Sequence, residues 1–142
     1  MAQPQSPALG YVIVYVVDVA KSVDFYSAAF GYTVRRLDRS HRWGELESGP
    51  TTIAFTPLHQ RETEGRTGAV RTPRWRRRGG GPVEVCFDYA DVDAAYERAV
   101  EKGAVPVSAP EVKEWGQKVG YVRDIDGNVV RLGSHVAEPR RL

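Results

Sequence analysis

A chain of 142 residues, 42% hydrophobic and 27% charged, has the length of one domain and the composition of an ordinary globular protein. A net charge of +2 is too small to draw the whole chain to nucleic acid, and no apolar run approaches the roughly 20 residues that a membrane-spanning helix needs. A single cysteine, Cys86, excludes an internal disulfide, and MAQPQSPALG has no basic segment leading into an apolar core, so the expectation is a cytoplasmic protein.

The first strand is expected in YVIVYVV, where β-branched and aromatic residues dominate. Alternation sends Tyr11, Ile13 and Tyr15 to one face and Val12, Val14 and Val16 to the other. Asp18 then stands where a helix N-cap belongs, and Val19, Val23, Tyr26 and Phe30 form one apolar helix face that ends at Gly31. Trp43-Gly44 opens a further strand, Gly49 supplies a turn, and TTIAF closes the set. In that last strand Thr52, Ala54 and Thr56 share the face of Tyr11, while Ile53 and Phe55 point to the core. His41, close to Glu45 in RSHRWGEL, is read as a surface hairpin histidine, with general base as the alternative.

QRETEGRTGAVRTPRWRRRGGGP follows and has no periodicity, so residues 58–81 are expected to form a linker or long loop. Seven arginines against two glutamates lie between positions 61 and 78, around Trp75. No nucleic-acid motif accompanies them, which leaves a solvated loop as the first reading and a flap over an anionic or aromatic ligand as the second.

The opening pattern then returns. In EVCFDYADVDAAYERAVEKGAVPV, Glu84, Cys86 and Asp88 share one strand face and Val85, Phe87 and Tyr89 the other. Asp91 takes the N-cap position, Val92, Ala95, Tyr96, Ala99 and Val100 make the helix face, and Gly103 stops it. Trp115-Gly116 lies 24 residues after Asp91, as Trp43-Gly44 lies 25 after Asp18, and NVVRL closes the chain's last strand after the Asp126-Gly127-Asn128 turn. The chain therefore reads as two βαβββ modules, 9–57 and 82–135, with a tail at 136–142. Cys86 has no histidine near it in this arrangement and is read as inert rather than nucleophilic.

The stretches DVAKSVDFYSAAFGY and WGQKVGYVRDIDGNVVRL carry a resemblance to the vicinal oxygen chelate superfamily, which includes glyoxalase, extradiol dioxygenases, fosfomycin-modifying enzymes and bleomycin-resistance proteins. The family's usual DPDGN turn is DIDGN here. The resemblance implies an α+β fold of two cupped mixed sheets, each with strand order 1-4-3-2. It also implies that four side chains on the concave faces bind a divalent ion in metal-dependent members. Those positions fall here on Tyr11, Ala54, Glu84 and Arg131.

This set is a poor one for a cation. Alanine has no donor atom, a neutral tyrosine is a weak ligand, and arginine carries a fixed positive charge with no acceptor. Only Glu84 suits a metal, and His41, His59 and His135 have no metal-type spacing. No metal and no cofactor are expected. Arg131 should instead pair with Glu84 across neighbouring strands, either as a structural replacement or as a contact for a ligand. The expected ligand-binding set is Tyr11, Tyr15, Trp43, Ala54, Glu84, Trp115 and Arg131, a lining suited to a flat aromatic molecule.

Three functions follow from the resemblance. The first is sequestration of an aromatic natural product, as in bleomycin-resistance-like members, by a homodimer with clefts shared between subunits and the QPQSPAL arm exchanged between them. The second is a metal-independent isomerase, lyase or cyclase with Glu84 as base and Tyr11 or Tyr15 as donor. A metal-dependent glyoxalase or dioxygenase comes last.

Overall fold

The computed structural model describes residues 6–67 and 83–135, which form two compact units. The first unit holds β1 (Tyr11–Val16), α1 (Val19–Phe30) as far as Ser27, β2 (Thr33–Leu37), β3 (Gly44–Glu47), β4 (Thr52–Pro57) and α2 (Arg61–Thr67). The second holds the end of α1 from Ala28, β5 (Val85–Tyr89), α3 (Val92–Glu101), β6 (Val105–Val112), β7 (Lys118–Arg123) and β8 (Val129–Ser134). Each sheet is four-stranded and mixed, in the orders β1-β4-β3-β2 and β5-β8-β7-β6. The α+β fold of two cupped modules expected above is therefore what the chain adopts.

Both helices start as their sequences predict. The Asp18 carboxylate accepts the Lys21 amide at 3.0 Å, and the Asp91 carboxylate accepts that of Ala94 at 3.0 Å. Each is followed at its C-terminal side by a glycine with positive φ, Gly31 and Gly103. Val19, Val23 and Tyr26 of α1 are buried against Val16, Leu46, Ile53 and Phe55, and the rings of Tyr26 and Phe55 meet edge-on at 4.8 Å. In the second unit Val92 and Ala99 of α3, with Phe87, Val122, Val130 and Leu132, form the core.

Two expectations change. Residues 61–67, expected as part of an aperiodic linker, form α2: Gln60 accepts the Thr63 amide through its side chain, and residues 68–81, Trp75 included, lie outside the described residues. The correspondence between Trp43-Gly44 and Trp115-Gly116 also fails. Trp43 does stand immediately before β3, but Trp115 lies in the turn between β6 and β7, where the Gly116 amide bonds back to Lys113 O.

Backbone register shows the true equivalence. Gly44 pairs with Phe55 and Gly120 with Leu132, so Gly44 corresponds to Gly120 and Glu45 to Tyr121. Both glycines are close-approach positions. A Cβ on Gly44 would lie 2.5 Å from Val23 Cγ2, and one on Gly120 would lie 3.0–3.2 Å from Pro110.

Candidate functional site

The same register fixes which positions of the two sheets are counterparts. Ala54 of β4 pairs with Ile13 on one side and Glu45 on the other; Arg131 of β8 pairs with Cys86 and Tyr121. Ala54 and Arg131 are thus equivalent, and so are Tyr11 and Glu84, each two residues before Ile13 and Cys86. Each module accordingly puts two of the four expected residues on its face away from the helix.

On the second unit's face, Glu84 and Arg131 form the ion pair that strand adjacency predicts: Arg131 Nη2 lies 2.9 Å from Glu84 Oε1. Both side chains are part-exposed, at 29% for Arg131 and 37% for Glu84, so water screens much of their attraction. The guanidinium also lies over the Tyr121 ring, 5.3 Å from its centroid. Arg131 Nε is buried with no acceptor. Next to Arg131 on β5, the Cys86 thiol is pushed up from its ordinary range, chiefly by partial burial; Arg131 opposes the shift, and Glu84 and Asp88 add to it.

On the first unit's face, Tyr11 and Ile13 are exposed, and the Tyr11 ring meets Trp43 at 6.2 Å with an interplanar angle of 62°. Ala54 is buried beside them. Trp43 donates its indole N–H to Glu45 Oε2 at 3.1 Å, and Arg35 Nε stands 3.8 Å from Glu45 Oε1. Arg35 is held by a further bond from Nη1 to Thr52 Oγ1 at 3.1 Å. Tyr15 lies further along the strand, where its hydroxyl accepts from Gln60 Nε2 at 3.3 Å and so ties the face to the start of α2.

Five residues outside the expected set belong to these faces: Arg35, Glu45, Thr52, Gln60 and Tyr121. Alternation along TTIAF already places Thr52 on this face. The spacing of the two tryptophan–glycine pairs hides Glu45 and Tyr121, whereas matching Gly44 to Gly120 brings out both as the residues that follow. Trp115 is the expected member that the structure sets apart, in a turn with its indole bonded to Gln117 Oε1 at 2.9 Å. His41 occupies the β2–β3 turn with φ of 58° and is exposed.

The donor set does not suit a divalent ion. Arg131 sits on the carboxylate of Glu84, Ala54 contributes a methyl group, and among the described residues no group of three or more His, Cys, Asp or Glu is placed to hold a metal. Each face offers instead aromatic surface, fixed polar groups and one carboxylate–arginine pair, Glu45–Arg35 in the first unit and Glu84–Arg131 in the second.

Comparison with known proteins agrees with this architecture. The sequence model of the Glyoxalase/Bleomycin resistance protein/Dioxygenase superfamily matches residues 8–132. Mb0911c, an uncharacterized protein of Mycobacterium bovis, is 34% identical over 141 residues, which is 97% of this chain and 90% of that protein. A glyoxalase/bleomycin resistance protein/dioxygenase family enzyme from Burkholderia phytofirmans superposes with a TM-score of 0.78 at 22% identity, covering 92% of this chain and all of that one. TioX from Micromonospora superposes with a TM-score of 0.69 at 21% identity, with the same coverage.

Proposed function

The chain belongs to the Glyoxalase/Bleomycin resistance protein/Dioxygenase superfamily, and from that premise we propose that it is a metal-independent binding protein that sequesters a flat aromatic natural product, in the manner of an antibiotic self-resistance protein. The observation that carries this reading is the Glu84–Arg131 pair: a fixed cation, in bonding contact with the one good ligand, stands where metal-dependent members place a donor. On the first unit's face Tyr11 and Trp43 supply stacking surface; on the second unit's own face Tyr121 backs the guanidinium, which holds a charge for a ligand's polar edge. Sequestration needs affinity and no bond-making step, which such a face can provide.

The protein acts in this reading as a cytoplasmic homodimer. Leu9 and Val17 are exposed just beyond the two ends of the edge strand β1, apolar surface that a second copy would cover. Light scattering at micromolar concentration is expected to give twice the chain mass of 15.8 kDa.

The reading is tested by incubating the protein with polycyclic aromatic metabolites. Tryptophan emission should be quenched saturably, and the ligand should be recovered unaltered by chromatography. A converted product that disappears in Glu84→Gln would replace sequestration with catalysis by Glu84 as a general base.

A further inference from the structure

Glu45 is the most enclosed carboxylate on either face, with a side chain only 8% exposed, and it is short of hydrogen bonds. An ionised carboxylate has about four acceptor sites. Here Oε2 accepts the Trp43 indole N–H, while Oε1 has the Arg35 guanidinium at 3.8 Å, beyond hydrogen-bonding distance. Arg35 is engaged elsewhere, its Nη1 donating to Thr52 Oγ1. Beside this carboxylate stand Trp43, whose ring meets that of Tyr11 edge-on, and the small, buried Ala54, which pairs with Glu45 across the strands.

Two kinds of ligand group could answer a bare carboxylate oxygen, a cation or a neutral donor. Charge decides between them. The Glu45 charge is already opposed by Arg35, so a ligand ammonium would meet a guanidinium a few ångströms away, and the pair together is neutral. What Oε1 lacks is a proton donor rather than a counter-charge. A phenolic O–H bonds an ionised oxygen with a short, strong hydrogen bond and brings with it the flat ring that Tyr11 and Trp43 can stack or edge. We infer that the first unit's face recognises a hydroxylated aromatic ring, with the phenol O–H donating to Glu45 Oε1. This rests on the aromatic-binding reading above and specifies the chemical class of the molecule taken.

Calorimetric titration of the whole protein with three probes of one shape tests it: 2-naphthol, 2-methoxynaphthalene and 2-(aminomethyl)naphthalene. The expected order places 2-naphthol at least tenfold tighter than its methyl ether, which has lost the donor, and tighter than the amine. In Glu45→Gln the preference for naphthol over the ether should fall to about twofold or less. Equal affinity of naphthol and ether in the wild-type protein overturns the inference and leaves aromatic binding standing. A tighter amine overturns it through the charge argument. If none of the three binds, the aromatic-binding reading falls and takes this inference with it. The wild-type comparison needs no variant, so it decides the matter even if Glu45→Gln fails to fold.

Discussion

A single guanidinium changes the chemistry available at Arg131. It forms one ion pair with Glu84, which is partly open to water, and lies over Tyr121. Its removal should therefore cost little stability: Arg131→Ala is expected to shift unfolding by under about 1 kcal/mol in urea titration, while weakening aromatic ligands at that face. Cys86 reports the same guanidinium independently. Its thiol is held above the ordinary range by partial burial, and the thiolate is the form that reacts, so alkylation by iodoacetamide should be slower at pH 8 than in the urea-unfolded chain. Arg131 acts in the opposite sense to burial. Its loss should push the thiol further up and displace the alkylation profile to higher pH; an unchanged or lowered midpoint in Arg131→Ala would contradict the placement of the two side chains.

At the scale of an element, the DIDGN hairpin and β3 show what holds each sheet in register. The Asp124 carboxylate, buried, accepts the amides of Asp126 and Asn128 and the Asn128 side-chain N–H, at 2.8–3.0 Å, while Gly127 takes the positive φ that the turn requires. Asp124→Ala leaves three part-buried donors without their acceptor and is expected to destabilise the protein by about 1–3 kcal/mol in chemical denaturation. Gly44→Ala would drive a methyl group into Val23, a β-branched side chain with little rotamer freedom, for a loss of about 1–3 kcal/mol. Coupling it to Val23→Ala should return part of that loss in a double-mutant cycle. These elements were legible to different degrees. Helix starts, helix ends and strand faces follow from local chemistry, and Asp18, Gly31 and the YVIVYV alternation announce them. The placing of β3 against β4 does not, because the sequence has two tryptophan–glycine pairs at similar spacing and only pairing across strands tells which glycine faces the neighbouring packing. Helix α2 is not legible in the sequence for a related reason: seven residues give too short a window for periodicity, and its start is fixed by the Gln60 side chain rather than by an apolar pattern.

For the molecule as a whole, the identity of the fold was readable from its repeat and its closing hairpin, and the ion pair from strand adjacency; the surroundings of Glu45 were not, since they depend on Arg35 arriving from β2 through a register shift between Val34 and Arg36. The molecule-scale prediction concerns metal. Dialysis against EDTA should leave the melting temperature and aromatic affinity unchanged, and added zinc, manganese or iron(II) at 100 µM should not raise the melting temperature, as any ion bound to the native state would. A stabilisation that saturates at one ion per chain would remove the basis of the sequestration reading. Register equivalence between the two sheets has one more outcome. Tyr11 and Glu84 are counterparts, as are Glu45 and Tyr121, so one half wears its acid at the margin and its ring inside, and the other the reverse. Such a scaffold is a pair of interchangeable frames with different inlays. Transplanting side chains between counterpart positions asks no new backbone of either frame, and directed evolution could recompose one recognition surface while its twin keeps its original task.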